Sequence, residues 1–281
     1  MGTRVNGVDL DASPSGPALS DATPAALGVA SAGVSTEASR ADHVHAPASR
    51  SPVPPACVAR WLLDDTGATI DDSVGAYDLA YSGAAGQQSR PSPWGACIYA
   101  GGLAAGAGPK GAAALEPAAV SVAVWVKALT YASPSPFLVA KRQDDATWSG
   151  SSPTSWGLGI YTDTGGRVGA GVNAASGGAG VLASSDSWRI TLGAWCRVVA
   201  TYDTTNGLRL YLDGQFVGSA AAAGAILWGS GSWTIGVNNS GSGVAFAQTF
   251  DGFIRDVCVC DRVLTAAEIL RDYQQGIGYA P

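Results

Sequence analysis

Leu208, Leu210 and Leu212 alternate with Arg209 and Tyr211, and Asp213-Gly214 then turns the chain into Gln215, Phe216 and Val217. Alternation places every second side chain on one face of an extended strand. An Asp-Gly pair accepts the positive φ angles of a tight hairpin turn, so this stretch reads as a β-hairpin. The same period recurs upstream. Val120, Val122, Val124 and Val126 share one face, with Ser121, Ala123, Trp125 and Lys127 on the other. Residues 197–203, 232–237 and 253–260 read as further strands. Short strands separated by turn residues, in a chain with 38 glycines, predict an all-β fold. The pattern argues for a sandwich or jelly roll.

One helix interrupts this pattern near the end. Thr265 and Glu268 have capping-box spacing, in which the hydroxyl accepts the amide of residue 268 and the carboxylate reaches back. Leu264 and Ile269 stand where a hydrophobic staple would fix the entry, and Gly276 is placed to end the helix. Cys258 and Cys260 fall on one strand face, where small buried hydrophobes are expected. Five cysteines at 57, 97, 196, 258 and 260 form an odd, scattered set, which argues against a disulfide framework.

Charge narrows the partners. Charged residues make up 14% of the chain and the net charge is −6, so the electrostatic footprint of a nucleic-acid binder is missing. A neutral ligand such as a glycan suits this surface better. No window holds 18 continuous apolar residues, so no membrane insertion is expected. The opening ten residues lack the apolar core of a secretory signal, and assembly in a cytoplasm is expected.

Residues 1–55 are rich in Ala, Ser, Gly and Pro and show no sustained period. Such a segment buries too little apolar surface to offset its ordering entropy when alone. It is expected to order only against copies of itself or another protein. The Pro-rich run 51–55 is a stiff spacer, which sets the expected boundary: an extended arm over 1–55 and a sandwich over 56–281.

Four stretches together resemble the laminin-G-like, concanavalin-A-like jelly-roll family. They are residues 59–75 (ARWLLDDTGATIDDSVG), 120–127 (VSVAVWVK), 195–218 with WCRVVATYD and LRLYLDGQFVG, and 250–269 (FDGFIRDVCVCDRVLTAAEI). The resemblance implies two curved antiparallel sheets and a binding role, often toward carbohydrate or protein, with calcium in some members. Asp64, Asp65, Asp71 and Asp72 lie in the opening motif and could supply oxygen ligands. Arg255-Asp256 stands where relatives carry two acids, so turn roles for these aspartates are favoured over calcium.

Residues 27–45 (LGVASAGVSTEASRADHVH) resemble a segment that recurs in bacteriophage tail fibres and other virion appendages. His43 and His45 project from one side of an extended strand. In a homotrimer they would bring six imidazoles to the axis, enough for an octahedral transition-metal ion. A stacked histidine layer without an ion is the alternative.

Trp61, Trp125, Trp195 and Trp233 fall in or beside strands and are expected in the core. Trp148, Trp156, Trp188 and Trp228 fall among loop-forming residues and are the candidate glycan platforms, with Asp144, Asp145 and Asn173 as candidate orienting groups. Catalysis is not expected. Both histidines lie in the arm, no nucleophile elbow or phosphate loop is present, and Glu37, Glu116 and Glu268 are widely separated. The expected function is a virion structural protein (fibre, spike or capsid decoration) anchored to a capsid or tail protein, whose head binds host-surface polysaccharide. A ligand-free decoration protein and a bacterial carbohydrate-binding module are the alternatives.

Overall fold

The computed structural model describes residues 57–65, 69–80, 89–92, 95–99, 105–108, 111–131, 136–142, 156–182, 188–238 and 248–278, plus two short N-terminal strands. The chain divides into two units, Met1–Arg50 and Ser51–Pro281. In the first, β1 (Arg4–Val5) pairs antiparallel with β2 (Val8–Asp9). The expectations for the rest of residues 1–55 lie outside the described residues.

The second unit opens with β3 (Cys57–Trp61), β4 (Thr69–Ile70), β5 (Leu79–Ala80), β6 (Ser89–Ser92), β7 (Gly95–Tyr99) and β8 (Ala105–Gly108). A 3-10 turn over Ala113–Leu115 precedes β9 (Val120–Ala128) and β10 (Phe137–Arg142). There follow β11 (Trp156–Thr162), β12 (Val168–Ala174), β13 (Gly177–Leu182), β14 (Cys196–Asp203), β15 (Gly207–Leu212) and β16 (Gln215–Ala220). The last elements are β17 (Trp233–Ile235), β18 (Val237–Asn238), β19 (Gln248–Thr249), β20 (Gly252–Cys260) and α1 (Ala266–Gly278).

Two large antiparallel sheets result. One runs β13-β12-β11-β10-β17-β8-β5-β4, and the other runs β16-β15-β14-β9-β20-β7-β6 with β3 also paired to β20. Valines 120, 122, 124 and 126 enter the layer between the sheets, in one apolar cluster with Leu158, Ile160, Val168 and Val172 of the opposite sheet. Each such side chain contributes roughly 1.5–3 kcal/mol by leaving water. The Asp-Gly hairpin forms as its sequence requires, with φ of 51° at Asp213 and 77° at Gly214. Asp213 is tied back to β14, its carboxylate accepting from the Arg197 amide at 2.8 Å.

Strand β9 departs from simple alternation. Ser121, Ala123 and Trp125, on its other face, are buried as well. The cause is α1, which lies over that face: Leu264 and Ile269 pack with Ala123, Val199, Tyr211, Cys258 and Cys260. The capping box is realised, since the Thr265 amide donates to Glu268 at 2.8 Å and the Glu268 amide donates to Thr265 Oγ1 at 3.3 Å. Gly276 does not end the helix, which continues to Gly278. An added Cβ at Gly276 would sit 2.2 Å from the Trp125 ring, so the glycine serves a close approach rather than a cap. Among the described residues no helix is long and apolar enough to cross a membrane.

Beneath α1 runs a buried ionic network. Arg60 of β3 holds both carboxylate oxygens of Asp256 in β20, at 2.6 and 2.9 Å. Arg197 of β14 donates to the Asp256 carbonyl at 2.7 Å and to the Asp272 carboxylate of α1 at 2.8 Å. Asp256 has φ of 50° and sits where the β20–β9 register shifts, a bulge that re-aims its side chain. Burial pushes the Asp256 carboxyl up, but Arg197 and Arg60 prevail and hold it below the usual range.

The cysteine reading needs correction. Cys57 and Cys258 form a disulfide across 201 residues of sequence, with Cα atoms 6.4 Å apart. The first and last strands of the unit are neighbours, a proximity that spacing along the chain does not reveal. Trp61, Trp125 and Trp233 are buried as expected, whereas Trp195 is half-buried.

Replacing Asp256 with Ala leaves the buried Arg60 guanidinium without its carboxylate, and should lower the unfolding free energy by about 3–5 kcal/mol in a urea titration. The Arg262 guanidinium and the Thr265 amide draw the Glu268 carboxyl down to about 2 from its ordinary 4.5. Its stabilising contribution is therefore complete above pH 4.5 and fades as the pH falls toward 2. Comparing Glu268→Gln with the parent at pH 7 and pH 3 should show a smaller stability difference at the lower pH.

Candidate functional site

The two ends of the sandwich are built differently. At the end where β9 begins and β10 finishes, Lys141 is fully buried and pairs with Glu116 at 3.1 Å, its ammonium also donating to the Gly231 carbonyl. Trp228 seals the same end. It is 9% exposed, its indole donates to the Pro117 carbonyl at 3.2 Å, and its ring lies 6.1 Å from that of Trp233. This end is a plug.

The opposite end gathers the turns that follow β9 and β11 and those that precede β14 and β20. The β11–β12 hairpin is shaped by Asp163, whose carboxylate accepts the amides of Gly165 and Arg167 at 2.9 and 2.8 Å and the Arg167 Nε at 2.7 Å. Partial burial raises the Asp163 carboxyl, yet Arg167 and these amides outweigh it and keep the group below the usual carboxylate range. Gly166, with φ of 79°, is needed twice over: for its backbone angle and because the Tyr131 ring lies against it.

Tyr131 and the segment 188–190 complete the rim. The Tyr131 hydroxyl donates to the Ile190 carbonyl, the Ile190 amide donates to Gly166 at 2.9 Å, and the Arg189 guanidinium donates to the Gly165 carbonyl. Trp188 is half-buried, as are Tyr131, Tyr161 and Arg189. Tyr161 covers Gly169, its cross-strand partner, and meets Phe137 at 5.8 Å. Burial, with the charge of Asp163, raises its phenol. Beside them Asp251 accepts from Tyr99 at 2.9 Å and from Thr130 at 2.7 Å, while Leu129 and Leu192 are exposed. Half-buried aromatic rings beside charge-paired groups can stack on an apolar face and direct hydrogen bonds at polar substituents.

The structure separates the predicted site residues. Trp188 stands on this rim. Trp228 is a correction: it belongs to the core, because the run around it folds over Gly157, where an added Cβ would sit 3.0 Å from the Trp228 Cα. Trp156 opens strand β11 opposite Arg142 instead of lying in a loop. Asn173, expected to orient a ligand, is 6% exposed within β12. Trp148, Asp144, Asp145, His43 and His45 lie outside the described residues. In the opening acidic motif, Asp72 accepts the amides of Arg60, Val74 and Tyr77 at 2.9, 3.0 and 3.2 Å, and Asp65 accepts that of Asp71 at 3.2 Å. These bonds shape the turn and tie it to β3 through Arg60. Asp163, Arg167 and Tyr131 escaped the sequence reading, although an aspartate four residues before an arginine with two glycines between is a hairpin signal.

A family described as the Concanavalin A-like lectin/glucanases superfamily matches residues 105–270, more than half of the chain. The chain belongs to this superfamily. No curated protein matches the sequence. Among solved structures, this concanavalin A-like sandwich superposes on Trypanosoma rangeli sialidase in complex with sialic acid with a TM-score of 0.59 at 15% identity, covering 82% of this chain and 34% of that one. The same sialidase in complex with the inhibitor DANA gives 0.58 at 17%, covering 85% and 36%. An HCR/D mutant gives 0.54 at 12%, covering 80% and 53%. The chain thus spans about a third of the sialidase's length, and the likeness is one of fold.

The contrast between the two tryptophans can be measured. Trp228→Ala removes a buried ring and should cost about 3–5 kcal/mol in thermal unfolding. Trp188→Ala, at a half-exposed rim position, should cost clearly less; equal losses would mean that the rim assignment is wrong.

Proposed function

We propose that this protein is a bacteriophage virion appendage, a fibre, spike or capsid decoration, whose concanavalin A-like head binds host-surface glycan at the rim formed by Tyr131, Tyr161, Trp188, Arg167 and Arg189. The observation that carries the reading is the asymmetry of the sandwich. Among the described residues, one end is closed by Trp228 and the Lys141–Glu116 pair, and the other presents half-buried aromatic rings around a charge-pinned hairpin. An aromatic ring offers an apolar surface to a sugar face, and guanidinium and carboxylate groups read hydroxyls by direction. Membership of a lectin and glucanase superfamily supports a carbohydrate ligand.

The arm over residues 1–55 anchors the head to a capsid or tail protein and joins three copies, in keeping with its resemblance to virion segments. On that reading His43 and His45 meet their copies at the trimer axis, where a transition-metal ion suits six imidazoles. Three parallel heads would raise the avidity of individually weak sugar sites. Binding rather than cleavage is favoured by the state of Asp163. Its carboxylate is taken up by two backbone amides and by Arg167, which fixes it as part of the turn.

A glycan array that includes bacterial capsular and lipopolysaccharide fragments tests the reading with the full-length protein. Retention of a defined glycan class is expected, with Trp188→Ala weakening it about tenfold, which corresponds to about 1.4 kcal/mol. A blank array, or binding that Trp188→Ala leaves unchanged, rules out this rim as the glycan site.

A further inference from the structure

A second chemical centre lies far from the rim, under α1. Antiparallel pairing of β3 and β20 sets Cys57 opposite Cys260, with a register shift beside Cys260 that lets Cys258 reach the same place. The three Sγ atoms all lie within 4.8 Å of one another. Cys258 and Cys260 are fully buried and their sulfurs are 3.8 Å apart. That spacing is the edge of a tetrahedron whose metal–sulfur bonds are about 2.3 Å.

We propose that Cys57, Cys258 and Cys260, as thiols, form a binding site for one thiophilic divalent cation of the zinc type. Two sulfurs come from the last strand and one from the first, with Leu264 and Ile269 closing the apolar side. Cys57 is half-buried, so solvent reaches this corner and a water can take the fourth position. Three thiolates around a divalent ion leave one excess negative charge, and Arg197 and Arg262 supply positive potential at Cys260. Burial otherwise pushes the Cys260 thiol up to about 12, which keeps it protonated until a metal displaces the proton.

Ion and disulfide exclude each other. Opening the Cys57–Cys258 bond takes two electrons from a reductant and two protons from water and yields two thiols. Loading then releases the thiol protons as the sulfurs bind. The site is thus a property of the reduced chain.

The test uses the full-length protein, reduced with a phosphine under nitrogen and titrated with cobalt(II), then zinc(II). One equivalent of cobalt should produce thiolate-to-metal charge transfer and strong visible bands, and zinc should bleach both. Zinc should also shield three cysteines together from alkylation, identified by mass spectrometry as 57, 258 and 260, with Cys97 and Cys196 unaffected. Cys260→Ser should lose the charge-transfer band, whereas Cys97→Ser should keep it. An imidazole site at His43 and His45 gives no thiolate charge transfer, so it cannot mimic the result. Absence of the band, alkylation of the parent that ignores zinc, or an unchanged band in Cys260→Ser overturns the proposal. The shielding count needs no variant, so it decides the matter even where a serine variant fails to fold.

Discussion

The Asp256 carboxylate is the point on which the lower half of this molecule turns. It lies 3% exposed between Arg60 and the backbone of a bulge, and its own carbonyl receives Arg197. Arg197 in turn holds Asp272 of α1 and lies over the Trp125 ring at 5.7 Å. Four elements (β3, β14, β20 and α1) thereby share one set of charges. A buried charge is tolerable only with its partner in place, so none of these elements can leave without stranding another's charge. The helix is consequently part of the sheet's structure, covering a face that strand alternation alone would leave to solvent.

That arrangement divides labour between the two ends and the two faces. The face under α1 carries the charge network and the three cysteines. The layer between the sheets is apolar, one cluster joining the valines of β9 with leucine, isoleucine and valine of β11 and β12. One end is filled by Trp228, Trp233 and the Lys141–Glu116 pair, which puts large side chains where strands diverge. The rim opposite is organised by hydrogen bonds to turns, chiefly from Asp163, Tyr131 and Arg189. Turns held in this way can present rings and charged groups in fixed positions while the sandwich bears the packing. This is the usual place for binding residues on a rigid scaffold.

Local signals were legible wherever chemistry acts over a few residues. Asp213-Gly214 specified its turn because only certain residues accept positive φ, and Thr265 with Glu268 specified the helix start because each satisfies the other's backbone. Tryptophans were harder. Trp188 and Trp228 sit in similar polar runs, yet one stands on the rim and the other in the core, because ring burial depends on what folds over it. Gly276 misled for the same reason: its role is set by Trp125, about 150 residues away in the chain.

By itself the sequence determined the strands, the hairpin and the capped helix, since period, turn chemistry and capping are encoded within a dozen residues, and four of its stretches together resembled a lectin-like β-sandwich family. Only the tertiary structure decided that Cys57 meets Cys258 and Cys260, that Arg60 meets Asp256, and that Tyr131, Trp188 and Asp163 share one rim. Those meetings depend on strand order and register, which are fixed by the joint burial of two sheets rather than by any segment alone.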